Sequence, residues 1–531
     1  MAQIAPTKGA VLAASGEFTF SHEPSTAAET LLRELALRRD SDSDRHRDLT
    51  FLDTFDWRVH RAGFVLARSA EEFELSEAES GALVASGPVP STGDIREALP
   101  EQLADAIEPR ALLPVAVVNS AEVVLSARDG EDKTVARLVV SDATVLAADD
   151  DGVARPLIPR VSIRPLRGYD RQATRLGEQL AALAGVEPVS SSLYEEAAAL
   201  GGRHPGDYTG KLSLRLSRDD STYDSARLVY RTLLGAMRVN EPGVLTDLDS
   251  EFLHDFRVAV RRTRSALKEL PGALPREIEN RSRKEFRWLG QVTTPTRDLD
   301  VYLLEFPAFR AAVGDAADDL EHLGRLIADE QRQAHRRLCK ALRSGRYRRL
   351  VADWAAAVDA DEPSAGAGPA GSDLIGATAD ARISSVGDSV LLAGSAIDDS
   401  SPAEALHDLR KRCKELRYLL EFFASLYDKR LHGALVSALK GLQDNLGTFQ
   451  DTHVQREAVE GFADRLVTDH HAPAAALLAI GRLVAAFDER EHAARAEFAD
   501  RFASFSSDKN RRRLESLVGT AGGGDSMKAT P

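Results

Sequence analysis

One helical segment occurs twice in this chain, and the repeat restricts what the second half can fold into. The first copy, Glu251 to Leu270, reads EFLHDFRVAVRRTRSALKEL, and the second, from Ala405, reads ALHDLRKRCKELRYLLEFF. At the roughly 100° per residue of an α-helix, His254, Arg257, Arg261, Arg264 and Lys268 fall within one sector of about 80°. Leu253, Phe256, Val260, Leu267 and Leu270 form an apolar stripe beside it. In the second copy His407, Arg410, Lys414 and Arg417 take the same angles, next to Leu406, Leu409, Cys413, Leu416, Leu420 and Phe423. Glu421 replaces Lys268, so the second row is shorter. An ordinary solvated face mixes its charges, whereas the first sector holds no acid.

The copies are 153 residues apart, and a second matched segment lies 44 residues beyond each histidine: Arg297-Asp298-Leu299-Asp300-Val301 and Gln450-Asp451-Thr452-His453-Val454. A third match, Gly324-Arg325-Leu326-Ile327 against Gly481-Arg482-Leu483-Val484, is offset by 157. Three matches in order indicate a duplicated helical unit. Ser401-Pro402-Ala403-Glu404 reads as a capped helix start in the second copy, with Thr246 and Asp249 a weaker signal in the first. Asp255 and Asp408 lie near these N-termini, where the helix dipole favours a carboxylate.

Charge is distributed unevenly. The net charge is −15, yet residues 254–297 hold 11 basic and 5 acidic side chains, and residues 325–349 hold 9 and 2. An acidic protein that gathers cations on chosen helices is built to present them to an anion. Two cysteines, Cys339 and Cys413, are too few for a disulfide framework or a structural zinc site, and both sit in apolar helical patterns. No apolar run approaches the roughly 20 residues of a membrane span, and the N-terminus is a poor signal peptide. The expectation is a cytoplasmic protein with no membrane role.

Residues 1–200 read as mostly β, with runs at Phe64–Arg68, Val115–Leu125, Thr134–Val140 and Thr144–Ala147, and helical pattern at Ala27–Arg38 and Asp170–Leu183. The expected domains are 1–204, a β domain; 205–358, the first helical repeat; 359–373, a flexible linker; 374–518, the second repeat; and 519–531, a disordered tail.

The paired His-Asp-x-Arg helices, each followed by an Asp-x-x-Val segment, closely resemble the CHAD domain over about Ser221 to Phe505. That resemblance implies two four-helix bundles related by a pseudo-twofold, with basic faces lining a shared groove, and binding of inorganic polyphosphate. The N-terminal half resembles a CYTH domain, the β-barrel of the triphosphate tunnel enzymes. The residues that carry this are Phe51-Leu52-Asp53-Thr54-Phe55-Asp56, Arg61-Ala62-Gly63-Phe64-Val65-Leu66, and Val135-Ala136-Arg137-Leu138 with Asp142. The implied fold class is α+β: an antiparallel β-barrel followed by an all-α duplicated domain.

A triphosphate tunnel needs inward acids for a divalent metal and inward bases for phosphate oxygens. The family's opening Glu-x-Glu-x-Lys is absent, the nearest candidate being Glu17-Phe18-Thr19-Phe20-Ser21. Ala67 and Ser69 stand where the family has two arginines, Arg68 between them should face outward, and Glu74 stands where a Lys is expected. Val115–Leu125 has no Lys or Arg, and Gly152–Tyr169 no Asp or Glu. The tunnel is expected to fold but not to catalyse. An active triphosphate phosphohydrolase with displaced metal ligands, or an adaptor for an acidic partner, are the alternatives.

Arg287 and Lys440 match at the 153 offset and join the candidate ligands. Arg336, Arg337, Lys340 and Arg343 have Ala493, Ala494, Glu497 and Asp500 as counterparts, so the first copy should hold an anion more tightly. A solvated face, with long stems covering apolar surface, is the plain alternative for these cations. For His254 and His407, phosphate hydrogen bonding competes with orienting a neighbour; a metal would sit amid fixed cations with one ligand per helix. No metal or other cofactor is expected. Polyphosphate suits the pattern because its charges recur along a flexible thread, and arginine offers planar bidentate donors that stay charged. The basic helices lack interleaved exposed aromatics for base stacking, so sequence-specific nucleic acid is not the expected partner. Association with polyphosphate granules is the further expectation that the resemblance adds.

Overall fold

A computed structural model describes residues 17–20, 24–146, 153–166, 168–270, 272–360, 373–468 and 472–519. The expected linker and tail lie, apart from their edge residues, outside the described residues. The chain divides into two compact units, Met1–Gly210 and Lys211–Pro531.

The first unit is built on one antiparallel sheet. Its elements run β1 (Glu17–Phe20), α1 (Pro24–Glu34), β2 (Arg38–Asp53), α2 (Arg58–Arg61), β3 (Phe64–Arg68), β4 (Glu72–Glu77), β5 (Leu83–Pro88), α3 (Glu101–Ile107), β6 (Leu113–Arg128), β7 (Thr134–Leu146), β8 (Ala154–Pro156), β9 (Arg160–Pro165), α4 (Asp170–Ala181), β10 (Val186–Pro188) and α5 (Leu193–Leu200). The two runs read from Thr134 and Thr144 are one strand, β7. Strand order is β10-β1-β9-β7-β6-β2-β3-β4-β5, with β8 also paired to β7. Alternation along β6 sends Leu125 and Ala127 to a core with α1 and α4, and Ala116 and Val118 to a second core with Trp57, Tyr194 and Ala197. Asp53 turns the corner after β2: its carboxylate accepts from the backbone N–H groups of Thr54, Val59 and His60 and from the Tyr194 hydroxyl.

The sheet is not a closed barrel. Closure requires the two outer strands to meet and exchange hydrogen bonds. Here β10 has three residues and β1 four. Both outer strands, β5 and β10, end in a proline, Pro88 and Pro188, which offers no backbone donor.

The second unit is helical: α6 (Thr222–Thr246), α7 (Ser250–Glu269), α8 (Arg276–Val313), α9 (Glu321–Leu342), α10 (Gly345–Asp359), then α11 (Ile375–Ser395), α12 (Ala403–Phe422), α13 (Lys429–Thr468), α14 (Ala474–Phe505) and α15 (Asp508–Gly519). Among the described residues each repeat has five helices, a fifth packing beside the expected four. In the first repeat the fifth, α10, buries Tyr347, Leu350, Trp354 and Val358, and in the second, α15 buries Leu514 and Leu517. Among the described residues, no helix is long and apolar enough to cross a membrane.

The repeats share one core. Leu299, Tyr302, Phe309 and Leu323 of α8 and α9 pack with Val459, Phe462, Leu483 and Phe487 of α13 and α14. The rings of Phe309 and Phe487 meet edge to face at 5.4 Å. Phe487→Ala should therefore cost about 3–5 kcal/mol and loosen both repeats together. Hydrogen exchange should show α8 and α9 losing protection alongside α13 and α14; loss confined to the second repeat would contradict a shared core.

Candidate functional site

The two repeats meet across a pseudo-twofold that the coordinates make explicit. Ser221 and Leu374 are equivalent by the 153-residue offset, and they pair with each other in an antiparallel bridge. The same relation sets α7 of the first repeat against α12 of the second. Helix α7 is well started: Asp249 caps it, its carboxylate accepting from the Glu251 and Phe252 N–H groups at 2.9 and 3.2 Å. The cap read at Ser401 is absent, because that hydroxyl instead closes a turn with Asp398 at 3.0 and 3.1 Å. Pro402 stands at the N-cap of α12, with no side-chain cap. The copy with the weaker sequence signal is the capped one.

Along α7 the cations part company. Arg257 is half-buried and folds onto α8, donating to the Gly290 carbonyl and to the Thr293 and Thr294 hydroxyls, the last two at 2.9 Å. Burial, opposed by Asp298, brings its pKa down to about 10. Arg264 is exposed and crosses α8 at Gly290, where an added Cβ would lie 3.2 Å from its Nη1. Burial of part of its length, and Arg287 nearby, lower its pKa. Arg261 lies over the Tyr418 ring of α12, 5.9 Å from the centroid. Lys268 does not stand open: its Nζ lies 2.5 Å from Glu415 of α12.

The second row is more fully compensated. Arg410 pairs with Asp451 at 2.7 Å. Arg417 bonds Glu421 at 2.9 Å and Gln443 at 3.2 Å. Gln443 is the counterpart of Gly290, so the equivalent arginines Arg264 and Arg417 meet the same point of each long helix. His407 Nδ1 sits 2.6 Å from Gln450 Oε1, which orients the ring. Lys414 differs: burial, with Arg410 and Arg261 close by, brings its pKa down to about 8. Among the described residues, no carboxylate lies within ion-pairing distance of Arg261, Arg264, Arg287 or Lys414. These four, drawn from α7, α8 and α12, are the open cations of the region.

Other candidates fall elsewhere or apart. Arg336, Arg337 and Lys340 are exposed on α9, which packs on α6, α8, α10, α13 and α14; no described bond joins them to the α7 row. Lys440 is exposed on α13. His254 is half-buried at the start of the α7 row. Sequence reasoning missed Tyr418, although it lies one turn beyond Lys414 on the same face. It also missed why the Asp-x-x-Val segment recurs at fixed distance: Asp451 meets Arg410, and Asp298 acts on Arg257 in the first copy.

On the N-terminal sheet, one face carries charges that the expected tunnel positions did not reveal. Arg45 faces Glu122 at 3.4 Å, and Glu74 takes both Arg47 at 2.8 Å and Arg164 at 3.8 Å. Arg45 and Arg47 share a face with Leu49 and Phe51 by simple alternation. Arg68 is exposed, as expected. Glu17 serves structure, joining Arg160 and the Leu193 N–H.

Residues 229–460 match the family model of the CHAD domain, a domain associated in general with polyphosphate. The crystal structure of the CHAD domain from the plant Ricinus communis is 25% identical, covering 58% of this chain and 96% of that one, with a TM-score of 0.43. PptA from Streptomyces chartreusis is 17% identical, covering 53% and 99%, with a TM-score of 0.42. Comparison with curated proteins gives no match.

The Lys414 environment has a measurable consequence. Its folded pKa of about 8 lies below the ordinary lysine value near 10.4. The unfolded chain therefore binds more protons between those values, and stability rises with pH across that window. Lys414→Met should raise the melting temperature of the anion-free protein at pH 7, and the advantage should shrink above pH 8. An advantage that is absent at pH 7 or constant to pH 10 would remove charge strain as its cause.

Proposed function

We propose that the helical unit binds inorganic polyphosphate across the α7–α12 seam. The observation that carries this reading is the convergence of Arg261, Arg264, Arg287 and Lys414 with no described carboxylate to neutralise them. A site of this kind attracts a flexible polyanion for two reasons. Each guanidinium can give paired N–H donors to phosphate oxygens, and a phosphate between Arg261 and Lys414 relieves repulsion already present in the empty protein. Arg257 is the positioned base of the row, and His254 and His407 flank it. Arg336, Arg337, Lys340 and Lys440 belong to this reading as peripheral attraction only. Cytoplasmic polyphosphate granules are the setting it implies.

Binding should weaken steeply with salt, with a log–log slope of about −0.7 for each phosphate neutralised. Arg257→Glu, Arg261→Glu and Arg264→Glu together should abolish it while the circular dichroism spectrum stays helical. Equal affinity for duplex DNA at the same salt would show that the ligand has been misassigned.

The N-terminal sheet, on this reading, is not a triphosphatase. Glu74 and Glu122 are spent on arginines of their own face, and among the described residues no group of three or more His, Cys, Asp or Glu could hold a metal ion. Residues 1–210 with Mg²⁺ or Mn²⁺ should release no phosphate from inorganic triphosphate or ATP; turnover lost on Glu122→Gln would refute this.

A further inference from the structure

Four positions decide how the repeats close on each other. Arg262 and Lys268 of α7 are equivalent, by the 153-residue offset, to Glu415 and Glu421 of α12. The pseudo-twofold therefore generates two crossed ion pairs, Arg262 with Glu421 at 2.7 Å and Lys268 with Glu415 at 2.5 Å. In both, the first repeat supplies the cation and the second the acid. Had both copies kept the first copy's residues, the same positions would oppose cation to cation. Behind the pairs, Glu269 is fully buried and accepts from Arg382 at 2.5 Å. Glu421 also holds Arg417.

We propose that this clasp is an acidic stop: Glu415 and Glu421 end the cationic track just beyond Arg264, Arg262 and Lys268 hold the repeats together rather than meeting the ligand, and Arg417 is held by Glu421 within its own repeat. The inference rests on the polyphosphate reading and narrows it. Arg264 and Lys268 are separated by one turn, about 6 Å of rise, so the change from open to compensated charge is abrupt. The opposite end is bounded in the same way by Asp451 on Arg410 and Asp298 near Arg257. Between the two acidic ends remain Arg261, Arg264, Arg287 and Lys414. Such a window takes a few consecutive phosphates of a chain that can bend away from the surface afterwards. A stiff duplex would have to continue past Glu415 and Glu421, where each cation is already matched by an acid and no open charge is left to hold it. The acids thus act as determinants of ligand length and flexibility.

The test combines melting temperature with titration of linear polyphosphates of graded length. Lys268→Met should lower the melting temperature by leaving Glu415 beside Glu269 uncompensated, and Lys268→Met with Glu415→Gln should restore it. Both proteins should keep polyphosphate affinity within about twofold of the parent, whereas Arg261→Met should lose about tenfold. The parent's affinity should level off at short chains, and Glu415→Gln with Glu421→Gln should move the plateau to longer ones. If Lys268→Met weakens binding as much as Arg261→Met at unchanged melting temperature, Lys268 is a ligand and the stop is overturned. An unmoved plateau in the doubly neutralised protein overturns it too. If the parent binds no polyphosphate at low salt, the stop falls together with the function, while the melting series still decides whether the clasp exists.

Discussion

Arg261 and Lys414 repel each other, and the helical unit holds them together all the same. Between like charges partly out of water such repulsion is of kilocalorie order. Burial first, then Arg410 and Arg261, depress the lysine pKa. Two features oppose the repulsion. The apolar core joining α8 and α9 to α13 and α14 fixes the repeats at a distance from the charges, and the crossed pairs Arg262–Glu421 and Lys268–Glu415 close the seam beside them. The cations are therefore strained in place before any ligand arrives. Side chains held in this way need little reordering on binding, so less conformational entropy opposes association.

Duplication explains how such a seam arises, and it explains why the copies had to diverge. A pseudo-twofold brings equivalent positions face to face, so a basic position near the axis meets its own copy. The second copy answers with Glu at 415 and 421, and the pairs become attractive. The same divergence costs that copy part of its open charge, since Glu421 also engages Arg417, and Lys414 is left as the open cation of its row. Asymmetry between the halves follows from closing them and does not require a separate pressure on the binding surface.

Helical periodicity and the two offsets made the repeat, the basic row and its apolar stripe legible in the sequence, because both depend on one helix at a time. The seam was not legible for the opposite reason. Whether Lys268 is open or paired depends on which helix of the other repeat faces it, and no local pattern encodes that. Tyr418 was hidden likewise, as a ring whose use appears only when Arg261 lies above it. In the N-terminal unit the strands β3, β6 and β7 were readable, but barrel closure was borrowed from a resemblance. The prolines at the ends of β5 and β10 carried the contrary signal. The fifth helix of the first repeat was written in the spacing of Tyr347, Leu350, Trp354 and Val358.

Net charge adds a last constraint on any anion that uses this surface. The chain carries −15 overall, and −12 of it lies within residues 1–204, so at long range the protein repels a polyanion. At physiological ionic strength that field decays over about 8 Å, which is about one and a half turns of α7. Attraction begins only where the ligand is already closer to Arg261, Arg264 and Arg287 than to the surrounding acids. On the proposed reading, recognition is thereby a contact property of a few arginines and one lysine, and a protein of this composition gains selectivity from it: the net field is repulsive at a distance, and a chain that can enter the window finds several uncompensated charges together.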